Sequence, residues 1–224
     1  MINSISSASE YRPKSFNDMI GQDAIVKTLN NAIKNDNIPQ ALLFCGPRGV
    51  GKTSCARILA KTINNLEDDF EYNIFELDAA SNNSVEDIRN ITDQIRIPPQ
   101  TGRYKVYIID EVHMLSNQAF NAFLKSLEEP PEHVVFILAT TEKNKILPTI
   151  LSRCQIYDFK KVDNESIIKL LLKICKEKKV KYEDGSLSLI AERSDGSIRD
   201  SLSIFDRLVS FTDSNLTISE VTLN

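Results

Sequence analysis

The sequence lacks the features that mark several classes of protein. It has no run of about 18 apolar residues, the minimum for a membrane-spanning helix, so we predict no contact with a membrane. Its Ser-rich start has no apolar signal region and is typical of a flexible end. The 27 Lys and Arg nearly balance the 31 Asp and Glu, so the totals exclude a strongly basic nucleic-acid module and leave only room for a local basic face.

Metal-ligating residues are also few. The four cysteines are Cys45, Cys55, Cys154 and Cys175. No two of them form a C-x-x-C pair, and neither of the two histidines joins them in a cluster. Structural zinc sites depend on such spacings, so we predict no zinc. Isolated cysteines with apolar neighbours are typical of core residues in a reducing compartment.

Short apolar segments alternate with helical patterns over the first 160 residues. The predicted strands are 41–45, 73–77, 106–109, 134–138 and 155–159. Between them, apolar residues recur at helical spacing, with Ser84 and Ser116 as predicted N-caps. This alternation predicts an α/β fold, a parallel sheet flanked by helices. Beyond residue 160 three amphipathic patterns follow without an apolar strand, so we expect two domains, 1–160 and an all-helical 161–224.

A glycine-rich segment between the first strand and the next helix matches the pattern G-x-x-x-x-G-K-[ST]. It comprises Gly46, Pro47, Arg48, Gly49, Val50, Gly51, Lys52 and Thr53, and Ser54 follows it. In such a loop the backbone N–H groups and the helix N-terminus attract phosphates. Lys52 is expected to contact the β- and γ-phosphates, and the Thr53 hydroxyl is expected to bind Mg²⁺. ATP and Mg²⁺ are therefore the predicted ligands.

Two carboxylates end the third predicted strand. Ligands of parallel α/β sheets bind where strands end, which places Asp110 and Glu111 at the same edge as the glycine-rich loop. We expect Asp110 to hold the Mg²⁺ shell and Glu111 to act as general base on the attacking water. The pair indicates hydrolysis as well as binding.

Four further segments identify a family resemblance. They are Asp-Glu-Val-His-Met-Leu at 110–115, Phe-Leu-Lys-Ser-Leu-Glu-Glu-Pro-Pro at 123–131, Leu-Ala-Thr-Thr at 138–141 and Ser-Arg-Cys at 152–154. Together they resemble the AAA+ clamp-loader ATPases, in particular the gamma/tau branch of bacterial DNA polymerase III. The resemblance implies a P-loop NTPase sheet followed by a small helical lid.

The resemblance also implies residue roles. Thr141 matches the first sensor near the γ-phosphate, and Arg199 matches the second sensor on the lid. Arg153 matches the arginine finger that acts on ATP bound by a neighbouring subunit. The segments that match the lining of the adenine pocket contain Tyr11, Arg12, Pro13, Ile20 and Gly21.

The function implied by the resemblance is ATP-driven loading of a sliding clamp onto primed DNA during replication. The implied partners are other clamp-loader subunits, the clamp and the DNA, which would be held through its phosphates without reading of sequence. Arg89, Lys125 and Lys145 resemble inner-surface DNA contacts. Asn82 and Ser84 are uncharged at positions where the family surface is often basic.

The chain departs from the gamma/tau pattern in two places. The interval 64–72 has no cysteine and is too short for the four-cysteine zinc module of those relatives, so the chain is either a natural short form or one from which the module was removed. The sequence ends at Asn224, after the lid, where relatives continue into a collar domain, so we expect either an excised motor portion or a short relative with a different assembly.

Two other functions stay open. A branch-migration motor shares the Arg-Pro-Lys opening at 12–14 and Ile-Gly-Gln at 20–22, although not the Ser-Arg-Cys segment. A clamp-loader subunit that serves only as scaffold and finger donor would lose the phosphate loop, whereas Lys52, Thr53, Asp110 and Glu111 are all present here.

Overall fold

The computed structural model describes residues 6–65, 73–82, 85–100, 102–212 and 215–217. These residues form two compact units. The first, which we call the sheet unit, comprises the described residues of 24–46 and 52–159. The second, the lid unit, comprises those of 1–23, 47–51 and 160–217. Both the predicted division and the observed one have a boundary near residue 160, while residues 1–23 and 47–51 group with the lid.

The sheet unit contains five parallel strands in the order β2-β3-β4-β1-β5. The strands are β1 (Ala41–Cys45), β2 (Ile74–Asp78), β3 (Lys105–Asp110), β4 (Val134–Thr140) and β5 (Gln155–Asp158). All five predicted strands are confirmed, and their observed ends differ from the predicted ones by at most two residues. β1 and β4 are buried at every position, because an inner strand of a parallel sheet is covered on both faces.

The helices complete both units. They are α1 (Ser7–Glu10), α2 (Asp23–Lys34), α3 (Lys52–Asn64), α4 (Val85–Ile95), α5 (Asn117–Glu128), α6 (Pro148–Leu151), α7 (Asn164–Lys178), α8 (Ser186–Arg193) and α9 (Ile198–Phe211). Short 3₁₀ turns occupy Phe16–Asp18, Val112–Met114 and Lys143–Lys145. Ser116 caps α5 as predicted, since its hydroxyl accepts from the Ala119 N–H at 3.2 Å. The predicted Ser84 cap lies outside the described residues.

The core of the sheet unit lies between one face of the sheet and helices α4 and α5. Side chains alternate along each strand, so Tyr107 and Phe136 point to that face. Phe123 of α5 meets Phe136 edge-to-face with ring centroids 5.0 Å apart. Helix α3 packs against β3 and β4 within the same unit.

The lid unit has its own core. Helices α7, α8 and α9 contribute Ile167, Leu171, Ile190 and Phe205 to it, all of them fully buried. Two parallel two-residue strands, β6 (Lys181–Tyr182) and β7 (Asn215–Leu216), add a short ladder to this mainly helical unit. Such short strands leave no apolar run in the sequence, which explains why only helices were expected there. No helix among the described residues is long and apolar enough to span a membrane.

Candidate active site

The predicted site residues of the sheet unit lie along one edge of the sheet, at the carboxyl ends of three strands. Gly46 follows β1, Asp110 ends β3, and Thr141 follows β4. Cys45 pairs with Thr140 in the register, so the ends of β1 and β4 lie side by side. Parallel strands end at the same edge of a sheet, and there the loops are free to carry reactive groups.

Lys52 and Thr53 begin α3 at this edge. The Thr53 hydroxyl donates to Oδ2 of Asp110 at 2.6 Å, and the Lys52 ammonium donates to the Gly46 carbonyl at 2.8 Å. Lys52 is 6% exposed. Burial lowers the pKa of its ammonium, and the carboxylates of Glu111 and Asp110 oppose that shift. The start of α3 thus carries the buried Lys52 ammonium and the Thr53 hydroxyl, which is hydrogen-bonded to Asp110 at the end of β3.

Glu111 has an unusual backbone. Its φ of 47° and ψ of 44° lie in the left-handed region, which non-glycine residues rarely occupy. Its N–H donates to Oδ1 of Asp110 at 2.9 Å. Oε2 of Glu111 accepts from the Thr141 hydroxyl at 2.9 Å and from the Thr141 N–H at 3.2 Å. Strain of this kind is commonly found at functional sites, where surrounding contacts hold it.

His113 also belongs to this edge, although sequence reasoning gave it no role. Its side chain is only 6% exposed. Nδ1 lies 2.9 Å from the Thr140 hydroxyl and 3.4 Å from Oε2 of Glu111, and Nε2 lies 3.2 Å from Oε1 of Glu142. Its position two residues after Glu111 was visible in the sequence, but the tight turn that brings the ring back to β4 was not.

Residues 47–51 of the glycine-rich loop lie in the lid unit. Gly49 and Gly51 have φ values of 74° and 100°. The Gly49 carbonyl accepts from the Arg199 N–H at 3.3 Å, and a Cβ on Gly49 would overlap the Ser197 hydroxyl. Glycine is therefore required at position 49. Within this loop Arg48 is exposed, Val50 is buried, and Pro47 is half-buried.

The predicted adenine-pocket residues also belong to the lid unit. Tyr11 and Ile20 pack against the lid core. The Tyr11 hydroxyl donates to Glu177 at 2.9 Å, and burial together with Glu177 raises the pKa of Tyr11 to about 12. A Cβ on Gly21 would meet the Val162 methyl carbons at 3.2 Å. Arg12 is exposed and Pro13 is half-buried in the segment that leads from Tyr11.

The two predicted phosphate-directed arginines lie on exposed positions of different units. Arg153 follows α6 in the sheet unit, where it forms an ion pair with Glu128 at 2.8 Å and donates to the Thr149 carbonyl at 2.6 Å. Arg199 lies in the first turn of α9. The pairing of Arg153 with Glu128, 25 positions away, was not visible from the sequence.

The three DNA-contact candidates all lie in the sheet unit. Lys125 is exposed on α5. Lys145 is exposed at the end of its 3₁₀ turn, and its ammonium lies 2.9 Å from Glu142. Arg89 lies on α4, and its side chain is outside the described part of the structure.

The residues present fit a nucleotide with Mg²⁺. The hydroxyl of Thr53 and the carboxylate of Asp110, 2.6 Å apart, are hard oxygen donors of the kind that Mg²⁺ takes, with phosphates and water supplying the rest. Among the described residues no group of three or more His, Cys, Asp or Glu side chains could hold a metal ion by itself. The interval that replaces the zinc module falls mostly on residues outside the description.

Two family models match most of the chain. The model described as DNA polymerase III, delta subunit, matches residues 21–73 and 71–163. The model described as DNA polymerase III clamp loader subunit, ATPase lid domain, matches residues 166–214. The matched ranges end and begin near the boundary at residue 160.

Curated relatives are similar over nearly the whole chain. DNA polymerase III subunit tau of Bacillus subtilis is 46% identical over 95% of this chain and 41% of its own length. The gamma subunit of Buchnera aphidicola is 41% identical over 94% of this chain and 61% of its own length. The tau subunit of Escherichia coli is 42% identical over 96% of this chain and 36% of its own length. The chain thus spans less than two thirds of these relatives.

Solved structures confirm the fold. The Thermotoga maritima RuvB Holliday junction branch migration motor superposes with a TM-score of 0.73 at 22% identity, over 95% of this chain and 71% of that one. A point mutant of the same protein gives a TM-score of 0.74 at 22% identity, over 94% and 71%. This likeness confirms the AAA+ type of fold expected from the sequence. With the family models covering residues 21–163 and 166–214, the chain belongs to the DNA polymerase III clamp-loader subunit family.

Proposed function

We propose that this chain is the ATP-binding and ATP-hydrolysing motor portion of a clamp-loader subunit. The observation that carries the proposal is the edge of the sheet unit, where Thr53 lies 2.6 Å from Asp110 and Thr141 lies 2.9 Å from Glu111. One pair offers oxygens for a cation, and the other offers a carboxylate for a water. A protein that only bound nucleotide would have no need of the second pair.

Binding of the triphosphate is assigned to the glycine-rich loop and the start of α3. Gly46, Gly49 and Gly51 all have positive φ, which glycine adopts without strain, and Lys52 supplies a buried cation whose field is little screened. Thr53 and Asp110 would hold Mg²⁺, which neutralises and orients the phosphates when bound. Ser54 continues the first turn of the helix behind them.

Hydrolysis is assigned to Glu111 with Thr141. The Glu111 carboxylate accepts a proton from the attacking water, and Thr141 fixes one of its oxygens through two hydrogen bonds. Arg199 would sense the phosphates from the lid. Arg153 would act on nucleotide held by a neighbouring subunit, where a cation at the developing charge accelerates transfer.

The nucleoside end is assigned to the beginning of the chain, as the resemblance implies. Tyr11 and Ile20 are anchored in the lid core, so they offer a fixed apolar surface. Arg12, Pro13 and Gly21 lie next to them in the chain. A preformed apolar surface suits a flat base, because little side-chain freedom is lost on binding.

The wider role follows from the relatives, which are named as subunits of DNA polymerase III. We infer that this chain works with other clamp-loader subunits to place a sliding clamp on primed DNA. Lys125, Lys145 and Arg89 are the proposed contacts to DNA phosphates. The four free cysteines, three of them buried, suit the cytoplasm, where thiols stay reduced.

The two other functions are less well supported. The branch-migration motors share the fold at 22% identity, whereas the polymerase III relatives are 41–46% identical. A scaffold subunit would not need Lys52, Thr53, Asp110 and Glu111 brought together at one strand edge. Turnover that does not respond to the clamp would favour the branch-migration motor. Absence of ATP binding would favour the scaffold subunit.

The test is binding and turnover of ATP by the chain assembled with its partner subunits, clamp and primed DNA. Wild-type protein should bind ATP with Mg²⁺ and hydrolyse it. Glu111→Gln should bind ATP as well as wild type and lose turnover by roughly 10²-fold or more, because the general base is removed. Lys52→Ala should lose binding. Failure of the assembled wild-type protein to bind ATP would overturn the proposal, and activity without any response to the clamp would favour another motor.

A further inference from the structure

A continuous series of polar contacts joins Glu111 to the protein surface within the sheet unit. Oε2 of Glu111 lies 3.4 Å from Nδ1 of His113, and Nε2 of His113 lies 3.2 Å from Oε1 of Glu142. Glu142 in turn forms an ion pair with Lys145 at 2.9 Å. The side-chain exposure is 31% for Glu111, 6% for His113, 41% for Glu142 and 54% for Lys145, so the series runs from a partly exposed carboxylate through a buried ring to the surface.

The hydrogen bonds around His113 fix how the ring is used. The buried Thr140 hydroxyl accepts the Glu142 N–H at 3.0 Å and lies 2.9 Å from Nδ1. The carboxylate of Glu142 can only accept, so it requires a proton on Nε2 of the ring. In the neutral ring Nδ1 then accepts the single proton of the Thr140 hydroxyl. Both ring nitrogens then have a hydrogen-bond partner, and the 3.4 Å approach of Nδ1 to Oε2 of Glu111 is a packing contact.

We propose that His113 and Glu142 are positioning residues for Glu111, with Lys145 as the outer member of the series. This inference rests on the proposed function, because it assigns Glu111 the role of general base. Glu111 sits in a strained backbone conformation, so the place of its carboxylate depends on its neighbours. Thr141 holds Oε2 by two hydrogen bonds, and Nδ1 of the His113 ring packs 3.4 Å from the same oxygen. Glu142 holds the ring, and Lys145 holds Glu142.

A purely structural role for His113 would leave a different signature. A buried, satisfied histidine contributes to folding, and its loss lowers stability without changing one kinetic constant selectively. A positioning residue acts on the transition state, so its loss lowers kcat while KM and nucleotide affinity stay the same. Residues that act through each other are also non-additive in double mutants.

The experiment measures kcat, KM and ATP affinity of the assembled complex for four variants. Glu142→Ala should lower kcat by about tenfold, the lower end of the effect of outer partners on catalytic groups. His113→Asn, which keeps a polar group near the position of Nδ1, should retain more activity than His113→Ala. The double variant His113→Ala with Glu142→Ala should lose no more than His113→Ala alone.

The matched control is Lys143→Ala in the same 3₁₀ turn. The Lys143 ammonium pairs with Asp158 at 2.9 Å and not with Glu142, so its removal should leave kcat unchanged. Glu142 lies on the surface, so its variant tests the inference even if His113→Ala fails to fold. Full kcat in Glu142→Ala, or additive losses in the double variant, would overturn the inference. If wild type hydrolyses ATP and Glu111→Gln does not, the proposed function survives that result.

Discussion

Glu111 and Gly49 have rare backbone conformations at the candidate site, while other described residues with positive φ, such as Asp36 and Lys179, lie elsewhere. Glu111 has a φ of 47°, and a non-glycine residue in that region costs roughly 1–3 kcal/mol. The hydrogen bonds from its N–H to Asp110 and from Thr141 to its carboxylate offset that strain. Gly49, with a φ of 74°, avoids the same strain because it has no Cβ. The proposed general base is thus a strained residue, whereas the loop position at 49 is a glycine.

Replacement of Gly49 tests the second case. Gly49→Ala adds a Cβ at positive φ that overlaps the Ser197 hydroxyl, so it should destabilise the folded chain by more than about 2 kcal/mol. Gly21→Ala is the matched control, since its φ of 70° is similar but its Cβ would approach the Val162 side chain no closer than 3.2 Å, without overlap. Urea unfolding measures both. Equal losses would show that the overlap with Ser197 contributes nothing.

At the scale of the elements, side chains cap the starts of α5 and α7. Ser116 was predicted as an N-cap, and its hydroxyl accepts the Ala119 N–H. Asp163 caps α7 in the same way, by accepting the Ser166 N–H at 2.8 Å. Each cap satisfies a backbone donor that the helix itself leaves without a partner.

Loss of the α5 cap should be measurable. Ser116→Ala should destabilise the protein by about 1 kcal/mol, because one backbone N–H loses its acceptor. Asn121→Ala, on the exposed side of the same helix, is the control and should be neutral or slightly stabilising, since alanine favours helix. Thermal or urea unfolding checks both. A stability loss in the control and none in Ser116→Ala would contradict the assignment of the cap.

The α7 cap should give stability a dependence on pH. Hydrogen bonds from the Ser166 N–H and hydroxyl lower the pKa of Asp163 below its ordinary value of 3.8. A lowered folded-state pKa stabilises the protein above the unfolded pKa, and this contribution is lost as the pH falls through the folded value. Asp163→Asn keeps a capping oxygen that does not titrate. Unfolding curves between about pH 7 and 3 should therefore show wild type losing more stability than the variant, whereas parallel curves would contradict the prediction.

Elements with a strong periodic or apolar pattern were predictable from the sequence, and elements set by tertiary contacts were not. All five strands of the sheet and the three lid helices follow from their apolar patterns. The β6–β7 ladder did not, because each strand has only two residues. The sequence predicted which edge of the sheet holds the candidate site, because Lys52, Asp110 and Glu111 belong to local motifs. His113 was missed, because its role depends on the return of a turn to β4, which pairs residues 27 positions apart.

At the scale of the whole molecule, Arg153 is the proposed finger that acts on nucleotide held by another subunit. Arg153→Ala should keep ATP binding by this chain and lower turnover in the assembled complex, toward a loss of roughly 10³-fold at the site it serves. Glu128→Gln, which removes the charge paired with Arg153, is the matched control and should keep turnover. Steady-state ATPase assays with partner subunits measure both. Normal turnover by assembled Arg153→Ala would refute a role in trans.

The ion pair between Arg153 and Glu128 has a consequence for association. A finger that already has an intramolecular partner enters a neighbouring site by exchange: one contact to a carboxylate is given up and one contact to a phosphate is gained. Since exposed pairs of this kind contribute at most about 1 kcal/mol, the exchange is cheap in either direction. The charge of the nucleotide in the neighbouring subunit would then decide whether Arg153 binds there. Contacts between subunits would form and separate repeatedly, and Arg153 would have an anionic partner in both states.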